Sequence, residues 1–295
     1  MQTPGATRKI LNSVAVPIHE LSTPLKRFPK LGVVIHMYYS ELALEFRDSL
    51  KFLTGPTDLF ISVPSERAKT SVSQIFSDWP NGTVTIRTAP NRGRDIAPKL
   101  ITFRDVYDAY ELVLHLHTKK SVYNPRLVSW RHYLVKTLVG SPEIISTILN
   151  LFALQPKLGL VAPEHYEPIW PAVEWGSNFG IANDIASKWG IRLDRGTTLD
   201  FPSGSMFWAR SEALRPLLDL DLSIDSFPEE RGQVDGTLAH AIERLYFICC
   251  ERAGFHWLKI ARPELFSRNY AIFHAKSLYD VNCFMKKRTL RLVRD

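Results

Sequence analysis

Four short apolar runs, each separated from the next by a helix-spaced segment, constrain this chain more than any other feature. Leu31-Gly32-Val33-Val34-Ile35-His36-Met37-Tyr38 is nearly continuous in apolar residues, and Asp58 to Val63, Val84 to Arg87 and Glu111 to His117 are similar. Runs this short and this apolar read as buried strands. Between them, Ser40 to Leu53 places Leu42, Leu44, Phe46, Leu50 and Leu53 at helical spacing. Glu66 to Trp79 and Ala97 to Tyr110 read as further helices, with Pro98 tolerated in a first turn. Strands alternating with helices at this pitch predict an α/β, Rossmann-like fold with a mainly parallel central sheet and flanking helices. Such sheets bind ligands at the carboxyl ends of their strands. Three polar loops fall at such ends: Pro64 to Arg67, Asn91 to Asp95 and Thr118 to Ser121.

The second half is more broken. Trp130 to Val139 predicts a helix, Gly140-Ser141-Pro142 interrupts it, and another helix runs to about Leu154. Leu158 to Ala162 is a short strand, and Pro163 to Asn178, rich in Pro and Trp, is an ordered loop. Ser203 to Arg210 reads as a strand entered through a glycine, Asp235 to Glu251 as a helix, and Tyr270 to Lys276 as a short element. The expected organisation is a lead-in over 1–30, one main domain over 31–262 and a basic extension over 263–295. No internal repeat is visible.

With 45% hydrophobic and 23% charged residues in 295, the chain can bury a sizeable core. No segment approaches the roughly 18 apolar residues needed to span a bilayer, and residues 1–20 lack the apolar stretch of a signal peptide. The expectation is a cytoplasmic protein. Cys249, Cys250 and Cys283 show no metal spacing and read as buried reduced thiols. A net charge of +7 suits an anionic ligand or an acidic membrane surface. Lys286-Lys287-Arg288, Arg291 and Arg294 concentrate charge at the end, a solvated tail or a peripheral contact with the inner face of the membrane. No nucleic-acid-binding motif accompanies the charge, and nucleic acid is not expected as a partner.

Four segments carry candidate chemistry. In Asn91-Arg92-Gly93-Arg94-Asp95, a tight turn at Gly93 can turn its amides and an arginine toward a phosphate, or Asp95 can cap the helix that follows. In His115-Leu116-His117-Thr118-Lys119-Lys120, strand alternation puts His115 and His117 on one face. They form a cationic cluster with Lys119 and Lys120, and the two histidines can hold a divalent metal only with a further ligand. In Phe201 to Trp208, Ser203, Gly204 and Ser205 can approach sugar hydroxyls and Trp208 can stack on a sugar face; the competing reading is a core strand with a bulge. In Asp235 to Leu245, Leu238, Ile242 and Leu245 form a buried stripe, while His240, Glu243 and Arg244 share another face. Asp235 is either an N-cap or a general base.

Together, Asn91 to Pro98 (NRGRDIAP), His115 to Ser121 (HLHTKKS), Phe201 to Arg210 (FPSGSMFWAR) and Asp235 to Leu245 (DGTLAHAIERL) resemble the rhamnan synthesis F family of bacterial polysaccharide glycosyltransferases. The resemblance runs from about Leu31 to about Trp257. It implies a GT-A-like nucleotide-sugar fold that transfers a deoxyhexose, typically rhamnose from dTDP-rhamnose, to a growing glycan or lipid-linked glycan. GT-A-type enzymes generally end the equivalent strand in an Asp-x-Asp that binds Mg or Mn and the diphosphate. Here that segment is His115-Leu116-His117, so the resemblance points toward cationic stabilisation of the leaving group by Lys119, Lys120 and a histidine, without a metal. It makes Asp235 the base of an inverting reaction and assigns Asn91, Arg94 and Asp95 to the nucleotide. Ser203, Gly204, Ser205 and Trp208 then shape the sugar or acceptor pocket, with His240, Glu243 and Arg244 behind it. The alternative is a non-catalytic nucleotide-sugar or glycan-binding module of the same fold.

Overall fold

The computed structural model describes residues 13–15, 29–118, 127–196, 199–262, 265 and 272–287. In chain order the strands are β1 (Ser13–Ala15), β2 (Leu31–His36), β3 (Thr57–Val63), β4 (Val84–Thr88), β5 (Leu112–His117), β6 (Leu158–Pro163), β7 (Phe207–Arg210), β8 (His256–Ile260) and β9 (Ile272–His274). The helices are α1 (Ala43–Leu50), α2 (Glu66–Ile75), α3 (Val106–Ala109), α4 (Trp130–Val139), α5 (Pro142–Leu154), α6 (Phe179–Lys188), α7 (Arg215–Leu218), α8 (Leu238–Arg252) and α9 (Leu278–Lys287).

Among the described residues the strands form one sheet in the order β4-β3-β2-β5-β7-β6-β8-β1-β9. Neighbours are parallel except at β7, which runs antiparallel to both β5 and β6. The reversal of β7 has a consequence for function. It brings the amino end of β7, and the turn that precedes it, to the edge where β2, β5 and β6 have their carboxyl ends. The six residues of β2 and the six of β5 are all buried, as expected of central strands covered on both faces. Local signals fix the helix starts. The Ser65 hydroxyl accepts from the Ala68 N–H at 3.2 Å to cap α2, and Ser141 accepts from Ile144 at 3.3 Å to cap α5, with Pro142 at its first position.

Several expected elements are altered. The helix expected over Ala97 to Tyr110 is split into a wide π-type turn (Pro98–Thr102) and the single-turn α3. Side chains take the carbonyls a continuous helix would use: Arg87 donates to Thr102 O at 2.7 Å and the Tyr107 hydroxyl to Lys99 O at 3.2 Å. The strand expected from Ser203 starts only at Phe207, because Gly204 and Ser205 take left-handed backbone, φ 86° and 52°. The helix expected from Asp235 starts at Leu238. Left-handed Gly236 (φ 74°) precedes it and the Thr237 side chain caps it, so Asp235 is not its N-cap.

The lead-in and the C-terminal segment join the sheet, since β1 pairs with β8 and β9. Residues 288–295 of the basic tail lie outside the described residues. Cys249 and Cys250 are buried on α8, and burial pushes both thiols well above their ordinary range; Cys283, on α9, is only half-buried. Among the described residues no single helix is long and apolar enough to cross a membrane. The bent pair α4 and α5, 65° apart, passes such a test by length and composition, but most of its apolar residues are buried in the fold.

Candidate functional site

The four segments singled out in the sequence meet at the carboxyl edge of the sheet, around the turn Ser203-Gly204-Ser205. His117, the last residue of β5, donates from Nε2 to Gly204 O at 2.6 Å. Glu243, on α8, accepts the Gly204 N–H at 2.7 Å. Lys99 donates to Ser205 O at 2.7 Å and pairs with Asp95 at 2.8 Å; Asp95 in turn lies 3.9 Å from His117 Nε2. Residues separated by up to about half the chain thus grip one turn. Gly204 tolerates no side chain: an added Cβ would sit 2.6 Å from Leu134, quite apart from its backbone conformation.

A second buried cluster holds the same turn from the other side, and none of its charged members was singled out in the sequence. Lys259, on β8, pairs at 3.0 Å with both Glu164 and Asp200. His165 bonds Asp200 through Nε2 at 3.0 Å and the Ser203 hydroxyl through Nδ1 at 2.9 Å. Burial alone would push Asp200 up, but Lys259 and His165 outweigh it and hold the carboxyl below its ordinary range. Glu164 and His165 directly follow β6, and Lys259 stands in register with Ala162. The only sequence cue for this cluster was charge interrupting apolar stretches, which is costly unless paired.

Asp235 is linked to these groups through Arg244, which shares α8 with Glu243. Its carboxylate accepts from the Ser177 N–H at 2.8 Å and from the Asn178 side-chain amide, and Arg244 lies 3.7 Å away. Burial would raise its pKa, yet the Ser177 N–H, Asn178 and Arg244 together hold it below the usual range, so Asp235 is ionised. Arg244 also donates to Glu174 O and His240 O and stacks over Phe201, whose ring lies 5.6 Å from that of His165. His240 bonds the Thr237 hydroxyl at 2.8 Å.

Several residues take roles other than those expected. His115 is fully buried, bonded through Nε2 to the Tyr107 hydroxyl at 2.7 Å and packed on Phe207. Burial holds it well below its ordinary pKa, so it stays neutral and supplies no cation to a diphosphate. Trp208 is also fully buried, donates to Leu138 O at 3.2 Å, and has no face open to a sugar. Arg94 does not face a phosphate cradle: it donates to Gln233 O and sits 3.6 Å from Glu230. Arg92 reaches Asp225 and Glu229, so this turn ties down the loop leading to Asp235. Asp95 pairs with Lys99 rather than capping a helix, and Asn91 is exposed. Lys119 and Lys120 lie outside the described residues. The metal reading fits poorly: His115 and His117 commit Nε2 to Tyr107 and Gly204, and among the described residues no three His, Cys, Asp or Glu side chains converge to hold an ion.

His36, the last residue of β2 and in register with His117 on β5, has its Nδ1 2.9 Å from the Ser62 hydroxyl. Burial lowers its pKa to about 4. A histidine that stays neutral in the fold but titrates near 6.5 when unfolded leaves stability intact above about pH 6.5 and erodes it as pH falls to 4. Urea unfolding is therefore expected to show a loss of about 3 kcal/mol over that window from His36, with His115 adding in the same direction. His36→Gln should flatten this part of the profile, and an unchanged slope would contradict the assignment.

The fold is a mixed α/β sheet, mostly parallel and flanked by helices, with paired buried charges at the carboxyl edge, where sheets of this kind bind ligands. A family model described as rhamnan synthesis protein F matches residues 9–254, and the chain belongs to that family. It is also 36% identical over 228 residues to the uncharacterized protein WxcX of Xanthomonas campestris pv. campestris strain B100, and equally similar to WxcX of a second strain. The match covers 77% of this chain and 32% of the relative, so the chain spans about a third of the length of the curated relatives it matches.

Proposed function

We propose that this chain is a glycosyltransferase with a GT-A-like nucleotide-sugar fold, moving a deoxyhexose, rhamnose from dTDP-rhamnose in the first instance, onto a cell-surface glycan or lipid-linked glycan. The observation that carries the reading is the convergence of three distant segments on the Gly204 turn, with an ionised Asp235 paired to Arg244, the chain neighbour of Glu243, in a member of the rhamnan synthesis family. The acceptor oxygen forms a bond to the anomeric carbon as the bond to the diphosphate oxygen breaks, its electron pair leaving with the diphosphate. Asp235 takes the acceptor proton, and attack from the face opposite the leaving group inverts the anomeric centre. Asn91 contacts the nucleotide, and Lys119 and Lys120 receive the developing charge. Ser203 and Ser205 are buried and back the sugar pocket from behind. The chemistry runs at the cytoplasmic face of the membrane, where the basic tail makes a peripheral contact.

The reading is tested by a thermal-shift screen of nucleotide sugars with and without divalent ions. A donor at 100 times its Kd stabilises the fold by about 2.7 kcal/mol, so the right nucleotide sugar should raise the melting temperature by several degrees. A shift with dTDP-rhamnose in the presence of a chelator supports the metal-independent form; no shift with any nucleotide sugar counts against the proposal. A shift without turnover would make the chain a binding module instead.

A further inference from the structure

Three consecutive residues are each held by a buried titratable side chain. Ser203 is held through its hydroxyl by His165, Gly204 through both its peptide groups by Glu243 and His117, and Ser205 through its carbonyl by Lys99. Lys99 is the costliest of these, because its ammonium is completely buried. Moving such a charge out of water costs several kcal/mol, and an apolar side chain of similar volume would fill the space without that penalty. What the ammonium does that an apolar group cannot is donate at once to Asp95 Oδ2 and Ser205 O, at 2.8 and 2.7 Å.

One acceptor belongs to a residue with strained backbone, and the other directly follows such a residue. Ser205 is a non-glycine residue at φ 52°, and Asp95 directly follows Gly93 and Arg94 at φ 65° and 54°. Left-handed backbone is unfavourable for a non-glycine residue and persists only where its surroundings hold it. One ammonium therefore ties together two left-handed turns. The second belongs to the turn that the His165 cluster grips from its opposite flank.

We propose that Lys99 is a positioning residue: through Ser205 it fixes the buried Ser203–Ser205 turn that backs the pocket for the transferred sugar, a role that rests on the glycosyl-transfer reading above. Lys99 acts through the backbone of the turn and itself touches no substrate. Because Asp95 neutralises it, the charge of the pair can be removed without leaving an uncompensated ion.

Lys99→Met alone strands Asp95 and is expected to destabilise the fold. Lys99→Met combined with Asp95→Asn should recover most of the lost melting temperature, yet turn over about 100-fold more slowly, with the donor KM changed by no more than about threefold. Lys99→Gln combined with Asp95→Asn keeps an N–H for Ser205 O and should bring kcat back to within about tenfold of wild type. Wild-type kcat in the Met/Asn protein would overturn the proposal, as would a crystal structure of it with Ser205 still left-handed. If the Met/Asn protein does not fold, the Gln/Asn protein decides, a 100-fold loss there contradicting the proposal. If the wild-type chain transfers no sugar, the glycosyl-transfer reading fails, and the backbone angle of Ser205 in the double variants judges the role of Lys99 in holding the turn.

Discussion

Asp235→Asn is expected to lower sugar transfer by about 10²- to 10⁴-fold while leaving the fold and donor binding close to wild type, the range typical for loss of a general base. Asparagine is isosteric and keeps one oxygen for the Ser177 N–H or the Asn178 amide. Its second position becomes a donor facing a donor, so a small loss of stability is expected. What it cannot do is take a proton. Asp235 is anchored by two donors and an arginine, so its orientation is fixed before any acceptor arrives. Steady-state transfer together with a donor thermal shift separates the effects. Loss of kcat with an intact shift supports the base role, whereas wild-type kcat removes Asp235 from the chemistry.

Lys259→Met should give the largest loss of stability away from Asp235. The side chain is 3% exposed and, among the described residues, is the only cation within 4 Å of Glu164, while sharing Asp200 with His165. Without it, buried carboxylates face each other across a low-dielectric space. Breaking a buried pair in this way costs about 3–5 kcal/mol, on the order of 10 °C in melting temperature for a chain of this size. The sign with pH follows from Asp200. Its folded pKa is depressed, so its contribution is fully present above the unfolded value near 3.9 and is lost as pH falls below it. Lys259→Met should therefore be most damaging near neutral pH and least damaging in acid. Adding Glu164→Gln and Asp200→Asn should restore much of the loss. Thermal unfolding checks each step, and a single variant that melts within a degree or two of wild type would show that the cluster is not an ion network at all.

The parallel half of the fold was legible because its strands are short apolar runs with one helical segment between each pair. Leu31, Val33 and Ile35, or Leu112, Val113 and Leu114, state their burial in composition alone. His256–Ile260 was harder, since His256, Trp257 and Lys259 mask the apolar positions of β8; what makes it a strand is its pairing with β6, more than 90 residues upstream. The same limit applies to the site. Sequence spacing named Asp95, His117, Gly204 and Glu243, but not that these polar groups satisfy one another around a turn. Nothing in the sequence marks Lys99 or Lys259 as buried; the topology buries both. Conversely, His115 and Trp208 looked available for ligands only because alternation reports which face a residue occupies and not what covers that face.

The account is tested most directly by incubating the purified chain with dTDP-rhamnose and a rhamnose-terminated glycan, with a chelator present, and reading the product by mass spectrometry and the anomeric proton by NMR. The prediction is addition of one deoxyhexose, with inverted configuration, at a rate that collapses in Asp235→Asn. Binding of the donor with neither transfer nor hydrolysis, in this chain and in its longer relatives, would contradict the account.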